Sequence, residues 1–551
     1  AFNVYGDYML DIADHQIKIM AGYNYETKRL KDIKVSRQGL LSDDLNDLNL
    51  AVGDAMTMSG GQNEYALLGA FYRLNYSYKG GRYLFETSGR YDGSSRFRSG
   101  HRFGFFPSAS VGWRISEEPF FGNLKKNIDN VKLRLSYGSL GNQQVGYYDY
   151  IQTINTNGTM NYIFGDQKKG SYASVSDPNS ADLTWETVST WNVGLDLGFL
   201  NNRLNLTADA YVRDTKGMQT SGKKLPGAYG ANEPKQNAAN LRTKGWELML
   251  TWNDAFKLAN KPFRYNLSVG LADNTSEITK FDNPSKILSD YYVGQKLGDI
   301  WGYVVDGLFR TDEEAANYNV DQTAVNFVIN TAQVNPGLHA GDMKFVDLDG
   351  DHTISSGSNT ADDPGDRKII GNSLPRYTYS IQGGFDWYGF DFSIYLQGVG
   401  HQDWYPGTNS VFFWGPYARP YSSFIPRDFL SQVWSPENPD AYFPRPIGYL
   451  ALGNNRSLGV VNDRYLQNLA YCRVKNITVG YTIPVVWTKK VKIERLHIYF
   501  SGENLFTFSP LKSDYIDPEQ ASAENSIQSA NGNAKLYPWS KTYSFGVNVT
   551  F

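Results

Sequence analysis

The chain has 551 residues and a formal net charge of -3, from 53 Lys and Arg against 56 Asp and Glu, so it has no electrostatic pull on a nucleic-acid backbone. Only 41% of the residues are hydrophobic, and no apolar run approaches the ~18 residues that a membrane helix needs. This excludes a helical membrane protein and argues against nucleic acid as a partner.

The first residues, "AFNVYGDYML", contain no initiator Met, no basic n-region and no signal-peptide core. They read as the continuation of something upstream. No Walker-A loop, HExxH, paired-Cys metal motif or nucleophile elbow follows, and the six histidines are scattered, so enzymatic chemistry has no visible seat. The single Cys472 cannot form an internal disulfide and reads as a small packed residue.

Strands dominate the rest, in chain order. After a long polar stretch at 25–64 and a short "KGG" turn at 79–81, residues 131–137 alternate apolar and polar. In "WNVGLDLGF", Trp191, Val193, Leu195, Leu197 and Phe199 alternate with Asn192, Gly194, Asp196 and Gly198. The Asn201–Asn202 pair then turns the chain, and Leu204, Leu206, Ala208, Ala210 and Val212 resume the alternation, which predicts an antiparallel hairpin. The same pattern recurs at 246–252, 263–271, 377–385 and 390–396.

The chain ends on "YSFGVNVTF", where Tyr543, Phe545, Val547, Val549 and Phe551 share one face. Its eight rises of about 3.4 Å, tilted by about 40°, cover roughly 21 Å, close to the apolar band of about 25 Å that a barrel presents to lipid. Roughly fifteen such amphipathic strands are counted, joined alternately by short and long connections. The short connections lie near 79–81, 201–202, 255–261, 387–389 and 484–491. The long ones cover 25–64, 141–187, 215–240, 274–371, 402–468 and 507–540.

A soluble sandwich would pack its apolar face in a core. Here the polar face is rich in Gly, Ser, Asn and Thr with isolated charges (Lys132, Arg134, Asp196, Glu247), as suits a wet or plugged lumen. The expected fold is all-β, a transmembrane antiparallel barrel in a bacterial outer membrane, with short periplasmic turns and long extracellular loops. Its apolar face touches lipid, with Tyr543 and Phe551 at the two interfaces. An odd strand number does not close a bacterial barrel, so residues 1–551 are expected to be the C-terminal part of a longer one, with the remaining N-terminal part as a partner.

Several stretches together resemble the SusC/RagA family of TonB-dependent outer-membrane transporters: "RYDGSSRF" with "GFFPSASVGWRISEEPFF", "LTWETVSTWNVGLDLGFLNNRL", "NLRTKGWELML", "GYVVDGLF", "GDMKFVDLDGDHTIS", "VWSPENPDAYFPR", "YCRVKNITVGYTIP" and "YSFGVNVTF". The resemblance implies an N-terminal plug, a barrel of about 22 strands, nutrient import energised by TonB, and a SusD-like surface lipoprotein over the mouth. Plug, TonB box and first strands are not recognisable here. The rivals are a non-transporting barrel acting as surface receptor or assembly scaffold, and a plug-free porin. Oligosaccharide is favoured as the substrate, with peptide as the alternative. The terminal strand, ending on Phe551, resembles the signal read by the barrel-assembly machinery.

Three segments raise sharper expectations. In the loop segment "DWYPGTNSVFFWGPYARPY", Trp404, Tyr405 and Trp414 are candidates for stacking sugar rings, against the preferred reading that they pack the loop or touch the lid. Trp434, Asn438, Pro439, Pro444 and Arg445 resemble a family-wide element and are expected to be structural. In "YCRVKNITVGYTIP", Arg473 and Lys475 share the parity of lipid-facing Ile477, Val479, Tyr481 and Ile483. Either a bulge swaps the faces or, as preferred, the strand has left the bilayer and its cations face headgroups. In "DLDGDHTIS", Asp347, Asp349 and Asp351 take the spacing of a calcium loop's first ligands, with the Thr353 carbonyl next, which predicts one structural Ca2+. His352 and Ser358 depart from that motif, and Asp362, Asp363 or Asp366 is expected to complete the shell. An acidic solvated turn is the alternative.

Overall fold

The computed structural model describes residues 1–42, 44, 47–54, 56–163, 169–180, 182–222, 225–325, 337–408, 410–418, 425–446, 451–453, 456–521 and 537–551. Fifteen strands form one antiparallel sheet in chain order, from Phe2–Ile12 at one edge to Thr542–Thr550 at the other. Between them lie His15–Arg37, Met56–Tyr78, Tyr83–Ser94, Phe103–Arg114, Ile128–Asn142, Glu186–Phe199, Leu204–Ser221, Lys235–Leu258, Lys261–Lys280, Arg376–Trp387, Phe390–His401, Tyr471–Ile483 and Arg495–Phe508. Each strand pairs with its sequence neighbour, so local hairpins suffice to build the wall.

Register explains the alternation. Leu206 lies opposite Leu197 and Leu250, while Asp209 lies opposite Gly194 and Glu247, so apolar residues meet on one face and polar residues on the other. Aromatic rings rim the apolar face beside the short turns: Phe263 and Phe392 each lie 5.4 Å from Phe385, and Phe390 lies 4.5 Å from Tyr481. Tyr91–Phe103 and Tyr137–Trp191, at 5.3 and 4.7 Å, do the same on the long-loop side. These are the two interfacial belts of a membrane barrel. Tyr543, Phe545, Val547 and Val549 stand exposed on the lipid face, with Phe545 against Phe500 at 5.2 Å, and Phe551 follows directly.

The polar face is less open than isolated charges would make it. Arg134 is bidentate to Asp196 and also reaches both oxygens of Asp209, all between 2.9 and 3.0 Å. Arg73 pairs with Glu86 at 2.8 Å, and His497 meets Asp391 at 2.8 Å. Paired charges line the lumen.

Two expectations need correction. The stretch 25–64 is mostly a hairpin: His15–Arg37 and Met56–Tyr78 stay paired as far as Arg37 opposite Met56. Beyond Tyr25 the outward positions become Thr27, Arg29 and Lys31, because the strands have left lipid and both faces are wet. The 215–240 stretch likewise keeps paired strands to Ser221 and from Lys235.

The second correction concerns Arg473 and Lys475. Against Phe390–His401 the pairing jumps from Val474 to Asn476 while their partners Leu396 and Tyr395 are adjacent, so Lys475 is the extra residue of a bulge and the faces swap; against Arg495–Phe508 the extra residue lies on the partner strand, between Glu503 and Phe506. Arg473, only 3% exposed, donates to both oxygens of Asp517 at 2.8 Å and also reaches Glu519 and Thr507. Lys475 binds Glu519 at 2.6 Å. The cations face a loop segment, not headgroups.

Candidate functional site

The largest buried apolar cluster lies in the long connections, outside the sheet. Segments of 281–375, 402–470 and 509–521 pack into one platform on the extracellular side, with Met343, Phe345, Leu458, Tyr465 and Leu469 fully buried. Its frame consists of short paired segments. Asp299–Tyr303 pairs with Arg367–Asn372, Val305–Leu308 with Met343–Phe345, and Asp403–Trp404 with Gln467–Asn468. Tyr303 bridges Asn462 in parallel, which joins the two longest loops directly.

An ion pair locks the same junction. Arg445 is bidentate to Asp342, at 2.6 and 3.2 Å, and Asp342 is 1% exposed. Gly341, at φ +83, lets the Trp434 ring approach to where a Cβ would lie 2.5 Å away, so only glycine fits there. Tyr417 donates to the Pro444 carbonyl, and Asn438 to that of Ser431. The "VWSPENPDAYFPR" element thus clamps one loop to another.

The aromatic candidates sit inside this core. Trp414 is 0% exposed and Trp404 2%, with Trp414 edge-on to Phe413 and Tyr465 at 4.8 and 5.2 Å. The Trp414 indole N–H donates to the Gly407 carbonyl at 3.0 Å. Half-buried Tyr405 donates to the Val460 carbonyl at 2.9 Å and accepts from Asn462 at 2.8 Å. Burial holds its phenol well above the ordinary range, with Tyr465 and Tyr442 adding to the effect; burial likewise pushes Tyr442 up to about 12. Both phenols remain neutral, Tyr405 as a donor to Val460 and Tyr442 as an acceptor from the Gln467 amide. Neither Trp404 nor Trp414 offers a ring face to a sugar, because the platform needs both for its own core.

The acidic segment folds back on itself. Asp347 accepts from the N–H groups of Gly350 and His352, Asp349 from Asp351, and Asp351 from Thr353. His352 takes the left-handed turn itself, at φ 65, where the calcium-loop motif prefers Gly. The carboxylates that converge are Asp347, Asp349 and Asp366, with one oxygen of each lying within 4.8 Å of the others. Asp351 is not part of that trio. The Asp351 N–H favours the charged form of Asp349, yet desolvation and the charges of Asp366, Asp351 and Asp347 hold its carboxyl above the ordinary range. The N–H groups of Leu348 and Ser355 fix buried Asp366 at 2.7 Å each. Buried Ile354 anchors the turn by donating to the Asp321 carbonyl.

Residues 2–505 match the family described as TonB dependent receptor-like, beta-barrel. The chain belongs to that family. It is 30% identical to the TonB-dependent receptor SusC of Bacteroides thetaiotaomicron over 503 residues, covering 88% of this chain and 44% of that relative. It is 27% identical to TonB-dependent receptor P3 of Formosa agariphila over 569 residues, 99% of this chain and 52% of that one. The structure described as the RagAB peptide importer in the open-open state covers 100% of this chain with a TM-score of 0.75, at 22% identity and over 54% of its own length. At that identity the likeness shows the fold. The chain spans about half the length of the curated relatives it matches, and the part it shares is the barrel. The receptor barrel is an integral outer-membrane protein, with its short turns on the periplasmic side.

Proposed function

We propose that this receptor barrel forms the channel wall and the outer platform of a nutrient importer. The platform carries the reading: three long loops share a buried core and a buried Arg445–Asp342 lock, forming a rigid surface above a polar-walled lumen. A wall of paired charges gives solutes a hydrated path, whereas a purely adhesive receptor needs none. A plug region contacting TonB supplies the gate and the force, and a SusD-like surface lipoprotein closes over the platform. Family membership supports both partners. No enzymatic step is part of this reading.

The substrate class is an oligosaccharide or a peptide. The lean to oligosaccharide loses its aromatic support, since Trp404 and Trp414 are core residues. The test is uptake of labelled oligosaccharides and oligopeptides by cells carrying or lacking the full-length gene. Uptake of one class is expected to depend on the gene and to stop when the proton gradient is collapsed. Gene-dependent uptake that survives the uncoupler would identify a porin.

We propose further that Asp347, Asp349 and Asp366 hold a structural divalent cation, with calcium the fitting hard ion. Three neighbouring carboxylates, one of them already held above its usual range by desolvation and by the neighbouring charges, gain most from neutralisation. Calcium is expected to slow amide exchange across 347–366, and Asp349→Asn to abolish the effect. Identical exchange with calcium and with chelator would rule the cation out.

A further inference from the structure

Two periplasmic connections depart from the tight turns around them. Residues 115–127 hold two 3-10 turns, Ile115–Glu117 and Pro119–Phe121, and residues 484–494 hold the short helix Val485–Thr488 followed by Lys489–Val491. Both break the same rule. A periplasmic turn in water has no use for large apolar side chains, yet Phe120 is 67% exposed and Leu124 is largely exposed, as are Val486, Trp487 and Val491.

Hydrogen bonds fix which side of the wall the first turn occupies. Glu118 accepts from the Tyr83 hydroxyl at 2.5 Å and from the Trp113 indole N–H at 3.0 Å, and it pairs with Arg82 at 3.5 Å. Tyr83 and Trp113 are cross-strand partners on the lipid face, in the periplasmic aromatic belt. The turn therefore continues the belt outward, and buried Phe121 holds it there. Lysines follow the apolar residues in both turns: Lys125 and Lys126 after Leu124, and Lys489, Lys490 and Lys492 around Val491. With neighbouring Lys79 and Arg82, the first cluster sets four cations against Glu117 and Glu118; Lys125 pairs with Glu117 at 3.4 Å and Glu118 is spent on Tyr83, Trp113 and Arg82, which leaves an excess of two positive charges.

We propose that these two turns are interfacial anchors, which sink Phe120, Leu124 and Trp487 into the periplasmic leaflet and set their lysines against anionic glycerophospholipid headgroups. Apolar side chains flanked by lysines bind an anionic lipid surface through burial and charge attraction acting together. Continuity of the first turn with the lipid belt and the exposed apolar side chains of both turns supply the first term, and the lysines supply the second. The consequence is mechanical: a wall held at its periplasmic rim resists vertical displacement when force is applied through its lumen.

The test uses the full-length protein in lipid nanodiscs. A nitroxide placed by Phe120→Cys in an otherwise cysteine-free background, Cys472→Ser included, is expected to be more accessible to oxygen, which partitions into lipid, than to a water-soluble nickel chelate. The reverse order would mean that the turn faces water or a soluble periplasmic protein, and would overturn the proposal. In parallel, native mass spectrometry compares phosphatidylglycerol with phosphatidylcholine retained by the protein. A preference for phosphatidylglycerol on the order of tenfold is expected from two or more lysines, and Lys125→Glu with Lys126→Glu should reduce it. Equal retention of both lipids by the unaltered protein would remove the headgroup contact.

Discussion

Arg473→Ala is expected to free the 509–521 segment from the barrel wall while leaving the sheet intact. Arg473 satisfies Asp517 and Glu519 together, and all three are largely shielded from water, with Asp517 at 7% side-chain exposure. Deleting the guanidinium leaves the shielded Asp517 carboxylate without its cation and Glu519 with Lys475 alone, at 2.6 Å. Breaking a buried pair in this way costs about 3–5 kcal/mol, because the charge left behind has lost its solvent and its partner. That is ample to open one surface segment and small beside the many ladder hydrogen bonds of the neighbouring strands.

Hydrogen exchange should show faster exchange at 509–521 with unchanged protection in Tyr471–Ile483 and Arg495–Phe508. Adding Asp517→Asn and Glu519→Gln to the Arg473→Ala chain should recover much of the loss, since the penalty resides in the uncompensated charge. Moderate salt should change little, because screening acts weakly on buried pairs. Unaltered exchange at 509–521 in the single variant would show that packing alone holds the segment.

The sheet was readable from the sequence because lipid and water act on opposite faces of each strand, and that contrast writes itself into every second residue. "WNVGLDLGF" and "YSFGVNVTF" therefore placed their strands directly. The pattern disappears where the contrast does. Arg29 and Lys31 lie on a strand that continues past the bilayer, and nothing in their alternation distinguishes it from a loop. The bulge at Lys475 inserts one residue against Phe390–His401 without changing composition, so parity alone pointed Arg473 the wrong way. Its partners Asp517 and Glu519 lie 44 and 46 residues further along the chain in a loop, a pairing that parity does not reveal. The acidic trio shows the same limit, since Asp349 is visible within its motif whereas Asp366 joins only through the fold of the loop.

The platform core was the least legible part, and Trp414 shows why. It lies in a Gly- and Pro-rich loop without periodicity, where an aromatic residue reads equally as binding surface or as core. Its neighbours Phe443 and Tyr465 come from distant stretches of the same loop, and only their convergence reveals the cluster. Trp414→Ala should separate the two roles. If Trp414 is core, its removal leaves a cavity among Phe413, Phe443 and Tyr465 and leaves the Gly407 carbonyl without its indole donor, a loss of about 3–5 kcal/mol for a buried Trp. The platform should then exchange amide hydrogens faster across 403–418 and 456–469, while the barrel keeps its heat-modifiable mobility on a gel. Trp414→Phe should cost less, since it retains most of the ring packing and loses mainly the N–H. A chain whose platform protection is unchanged by Trp414→Ala, but whose uptake falls, would return this residue to the substrate. The buried edge-on contacts predict the opposite order: platform protection is lost first, and uptake falls only as a consequence.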